Sequence, residues 1–69
     1  MTKSQLIFSE SYVKGLYTKN DFFTFTFFMI ASTYEPDKTI ATIKREFTEL
    51  YNWYKDGTLE ERYKKEIME

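Results

Sequence analysis

The chain of 69 residues has no cysteine, no histidine, one proline and two glycines. Without cysteine there is no disulfide framework and no thiolate zinc site, so folding rests on the apolar core alone. Without histidine the usual general base is missing, as are Ser-His and Cys-His nucleophile pairs and the commonest transition-metal ligand. Gly15 and Gly57 stand alone, so no glycine-rich loop can cradle a phosphate. Charge of one sign is also missing. Ten basic and eleven acidic side chains leave a net charge of −1, too little to hold nucleic acid strongly or to mimic it with massed carboxylates. The longest apolar stretch, Phe22 to Ala31, is interrupted by Thr24 and Thr26. It falls well short of the roughly 20 residues that cross a bilayer as a helix. The start, Met1-Thr2-Lys3-Ser4-Gln5, leads into a mixed segment rather than an apolar leader. The expected compartment is therefore the cytoplasm, with no membrane, metal or cofactor.

What the chain does have is rings. Seven Phe, six Tyr and one Trp give fourteen. Each buried ring removes about 150–250 Å² from water, several kcal/mol apiece at about 25 cal/mol per Å² before entropy is charged. One domain, residues 1–69, is all this length supports. Its core can enclose only some of these rings, so a surface patch that binds something is expected.

The clearest element is a helix over about Asp37 to Lys55. Ile40, Ile43, Phe47, Leu50, Tyr51 and Tyr54 fall on one face, while Lys44, Arg45, Thr48, Glu49 and Asn52 fall on the other. Trp53 lies off the edge of the stripe, which predicts exposure. Pro36 suits the first turn, Asp37 is the expected cap, and Gly57 stops the helix. Thr58-Leu59-Glu60-Glu61 reads as a capping box that opens a second, more solvated helix with Leu59, Tyr63 and Ile67 inward. Glu60 with Lys64 and Glu61 with Lys65 are i,i+4 pairs in the favourable order.

Near the start, Thr2 with Gln5, or Ser4 alone, can cap a helix running to about Thr18. Asn20 or Asp21 then caps the next. Phe22 to Thr33 reads two ways: Phe-Thr alternation suits a strand, but it collapses at Phe27-Phe28-Met29-Ile30. A segment apolar nearly all round suits a buried central helix. An internal echo favours the helix: Lys19 and Lys55, 36 positions apart, each follow aromatics and precede a polar turn. The expected fold is all-α, a small bundle of about four helices arranged as two antiparallel hairpins. The alternative is α+β with a strand at about 22–30.

No constellation points to catalysis. Glu46 and Glu49 read as neighbours on a solvated helix face, and Ser4, Ser9, Ser11 and Ser32 have no local base. Lys3, Lys14 and Lys19 against Glu10 give the first twenty residues a charge of +2, but acids match bases over 38–69, which makes a DNA-binding regulator the secondary reading. The expected function is a non-enzymatic interaction module that binds another protein stoichiometrically. An adaptor or a small phage or bacterial inhibitor fits the size and the Phe-, Tyr-, Ile- and Lys-rich usage. Tyr34, Tyr51, Trp53 and Tyr54 are the expected partner contacts, because Trp and Tyr dominate interface hot spots. Phe22, Phe23 and Phe28 are the expected self-association residues, with a homodimer favoured.

Overall fold

The structure is a computed structural model and describes residues 1–16 and 25–68. Four helices make up the bundle: α1 (Lys3–Val13), α2 (Phe25–Tyr34), α3 (Ile40–Lys55) and α4 (Leu59–Ile67). There is no strand among the described residues, so the helical reading of α2 holds and the strand alternative fails. The reason is the one the collapsed alternation suggested: four successive apolar residues give a strand no polar face, whereas a helix turns Phe27 and Ala31 into the core. The expectation of a buried central helix is corrected, since Phe25 and Met29 face solvent.

Local chemistry sets the boundaries. Thr2 accepts from the Gln5 amide at 3.2 Å, and the Gln5 side chain accepts from the Thr2 amide at 3.0 Å, a complete capping box. The helix ends at Val13 rather than near Thr18. Gly15 turns left-handed at φ +72°, and the amides of Gly15 and Leu16 close back onto the carbonyls of Tyr12 and Ser11. The same closure ends α3: Gly57 has φ +80°, and the amides of Gly57 and Thr58 reach the carbonyls of Tyr54 and Trp53.

One expected cap and one expected capping box are corrected. α3 begins at Ile40, and its cap is Thr39, whose hydroxyl accepts from the Thr42 amide at 3.2 Å. Pro36 and Asp37 belong to the preceding turn. Thr58 holds the N-cap position of α4 as expected, but the capping box is absent, because its side chain makes no capping hydrogen bond. It takes a helical conformation, its amide and hydroxyl donate to Asp56, and its hydroxyl accepts from Arg62 Nε at 3.0 Å. The Glu60–Lys64 pair forms at 3.8 Å on the surface, where such pairs contribute little.

Phe8, Phe27, Ala31, Ile43, Leu50 and Leu59 form the core, with Phe8 and Phe27 edge-on at 5.9 Å. α1 packs against α2, α3 and α4, and α3 touches the other three helices. The radius of gyration, 11.3 Å, matches the roughly 11 Å expected of a compact chain this long.

Beside the apolar core lies a polar cluster of buried Ser4, Gln5 and Glu46 with partly buried Glu35 and Lys38. Lys38 bridges the carboxylates of Glu35 and Glu46. Ser4 donates to Glu35 through its amide at 2.9 Å and also through its hydroxyl. Gln5 donates to the Glu46 carbonyl at 3.0 Å. Glu46 is only 2% exposed, which corrects its reading as a solvated neighbour of Glu49. This cluster ties the α2–α3 turn to the first turn of α1.

Candidate functional site

An apolar surface lies along α2 and the adjoining edge of α3. Residues 35–39 join α2 to α3, and Phe27 and Phe28 near the start of α2 meet Phe47 in the middle of α3. Phe27 faces inward on α2, so Phe25 and Met29 face outward, 74% and 53% exposed. Phe28 sits between the two helices, 6.0 Å from Phe47, and Phe47 stacks nearly parallel on Tyr51 at 6.2 Å. Tyr51 is 38% exposed, with Lys55 Nζ 5.3 Å above its ring. Between Phe25, Phe28, Met29, Ser32 and Thr33 opens a groove of about 350 Å³.

The expected contact residues do not form one patch. Tyr51 joins this surface. Tyr34, half exposed, lies at the far end of α2 under Lys3, whose Nζ is 5.6 Å from its ring. Trp53 packs partly buried against the core on the side facing α4, with the Arg62 guanidinium 5.1 Å over it. This corrects the expectation that Trp53 is exposed. Tyr54 is also partly buried, edge-on to Tyr12 at 5.8 Å. Steps of ~100° turn Trp53 nearly opposite Tyr51, while Tyr54, about 60° round from Tyr51, meets Tyr12 of α1 instead of solvent. Ile40 departs in the opposite sense, since it was expected inward and is 67% exposed. Of the self-association residues, Phe28 borders the groove, while Phe22 and Phe23 lie outside the described residues. Phe25 and Met29 went unremarked in the sequence. Their signal was there: α2 is apolar nearly all round, and a helix with neighbours on one side cannot bury both faces.

The Ser4–Glu35–Lys38–Glu46 cluster is the other concentration of functional groups. Hydrogen bonds from Lys38 first, then from Ser4, hold the Glu35 carboxyl below its ordinary range. Burial pushes the Lys38 ammonium down, but the two carboxylates outweigh it and its pKa rises. A lysine that acts as a base needs the opposite shift. Ser4 is fully buried and already donates to Glu35, so no substrate reaches its hydroxyl. The cluster is built to hold helices. A second hollow, about 250 Å³, is lined by Met1, Trp53, Arg62, Lys65 and Glu66. Its charges are largely engaged: the Met1 amino group meets Glu66 at 3.0 Å, and Arg62 meets Trp53 and Thr58.

Among the described residues no group of three or more Asp or Glu side chains is placed to hold a metal ion, and no helix is long and apolar enough to cross a membrane. No family model, curated protein or solved structure matches the chain.

Proposed function

We propose that this chain is a non-enzymatic interaction module that binds another protein stoichiometrically through the α2–α3 face. The observation that carries this reading is that Phe25 and Met29 on α2 and Tyr51 on α3 are exposed and flank the half-buried rings Phe28 and Phe47, on a chain with a formed core. Leaving large apolar side chains in water forgoes about 1.5–3 kcal/mol each, and aromatic anchors at a groove are what interface hot spots use. An adaptor or a small bacterial or phage inhibitor would act in this way, by occupying a partner.

The test is affinity capture from the native host's extract with three baits: the natural chain, the double variant Phe25→Ser/Met29→Ser, and Glu60→Gln on the remote α4 surface. The reading expects a partner held by the natural chain and by Glu60→Gln but lost with the double variant, while the melting temperatures of all three agree within a few degrees. A partner retained by the double variant and lost on altering α4 would move the site elsewhere.

A further inference from the structure

We infer that the occupant of the shallow α2 groove and the α3 edge beside it is a helix of a partner protein whose apolar stripe is flanked by acidic residues. This rests on the docking role proposed above and names the chemistry of the partner. Ile40, Lys44, Phe47, Tyr51 and Lys55 recur along α3 at steps of three and four residues, so they share one edge of the helix. That edge borders α2, because Phe47 lies 6.2 Å from Phe27 and 6.0 Å from Phe28. Its two charged members, Lys44 and Lys55, are both exposed and both basic. The ten residues of α2 carry no charge. The acids of α3 lie elsewhere: Glu46 is buried beside Lys38, and Glu49 is a half-turn away from Phe47. A molecule of net charge −1 thus presents an apolar face whose charges, among the described residues, are positive.

That arrangement selects among occupants. A second copy in a two-fold pairing brings the same lysines to the interface and no acid to answer them. An anionic bilayer suits the charge, but it offers headgroups at no fixed spacing, and Ser32 and Thr33 bring hydroxyls to the same stripe as Phe25 and Met29. A helix suits the charge and the groove: its apolar side chains enter the groove at i, i+3, i+4 and i+7. Lys44 and Lys55 stand eleven residues apart, roughly 16 Å along the axis at about 1.5 Å per residue, so the matching acids sit about three turns apart.

Fluorescence anisotropy with two labelled synthetic helical peptides tests this. Both carry one Leu/Phe stripe over about five turns, flanked by Glu in one and by Lys in the other. The expected result is at least tenfold tighter binding of the Glu peptide at low salt. Lys44→Glu/Lys55→Glu inverts the preference, and Phe25→Ser/Met29→Ser abolishes binding of both peptides. Equal affinities that are both lost in Phe25→Ser/Met29→Ser overturn the acidic preference while leaving the docking role standing. Binding of neither peptide at millimolar concentration overturns the inference. So does a sedimenting dimer that Phe25→Ser/Met29→Ser dissociates, or binding to phosphatidylglycerol vesicles through the same residues in place of either peptide.

Discussion

Glu46 shows how one side chain can be costly and still organise a fold. It is buried, one oxygen meets Lys38, and the other, Oε2, is buried without a hydrogen bond from the described residues. Removing its partner leaves a carboxylate in a medium that penalises charge. Lys38→Met is therefore expected to cost about 3 kcal/mol, and Lys38→Met/Glu46→Leu to recover part of that loss, the rest remaining because Glu35 still lacks its lysine. Urea unfolding of both variants checks it, and a double variant no better than the single would contradict it. Half of this was legible in the sequence. Ile43, Glu46 and Leu50 are spaced by three and four residues, so Glu46 stands in line with core positions. Lys38 was not legible, because it reaches Glu46 from a turn, where no periodicity reports direction. Trp53 repeats the lesson. Its place beside the stripe suggested exposure, but α4 packs there and Arg62 covers the ring. Trp53→Ala is expected to lower stability by about 2–3 kcal/mol, at the lower edge of the range for large aromatic truncations because the ring is only partly buried. A melting temperature unchanged by that substitution would return Trp53 to the surface.

The elements were most legible where polar and apolar residues alternate with helical period. α3 and α4 have such stripes and stand close to their expected places. α2 lacks one because nearly every residue is apolar, so only its length and neighbours could decide between helix and strand. The ends were legible by residue type but not always by position. Both glycines close helices, and neither has an atom within 4 Å of where a Cβ would stand. Their value is therefore in the backbone alone. Gly15→Ala and Gly57→Ala are each expected to cost about 1 kcal/mol, with asparagine tolerated better at either site. Thermal unfolding of the alanine and asparagine variants tests this. Equal melting temperatures for Gly57→Ala and the natural chain would show that the left-handed turn is not needed. Thr39→Ala should cost a similar ~1 kcal/mol by leaving the Thr42 amide without its cap.

For the whole molecule, the polar cluster also predicts how stability varies with pH. The Glu35 pKa is lowered on folding, so its contribution is complete above its ordinary value of 4.5 and is lost as pH falls through the folded value. The Lys38 pKa is raised, so its contribution is complete below 10.5 and is lost as pH rises through the folded value. With no histidine in the chain, no side chain of ordinary pKa titrates near neutrality. The urea midpoint should therefore stay nearly level between these limits. Ser4→Ala removes a hydroxyl hydrogen bond from Glu35 and should move the acid limb to higher pH. An acid limb unmoved by that change would remove Glu35 from the account.

Phe25, Tyr34 and Tyr51 leave ring surface exposed, and Phe25 and Tyr51 stand beside half-buried Phe28 and Phe47, since the position of a patch depends on which helix faces find neighbours. Methyl-labelled methionine reads that directly. The chain has three methionines: Met1 packs against the core, Met29 lines the groove, and Met68 stands at the end of α4. When the captured partner is added, the Met29 methyl resonance should shift or broaden while those of Met1 and Met68 hold still. A Met29 signal unchanged at saturation, with Met1 or Met68 moving instead, would contradict the assignment of the α2–α3 face.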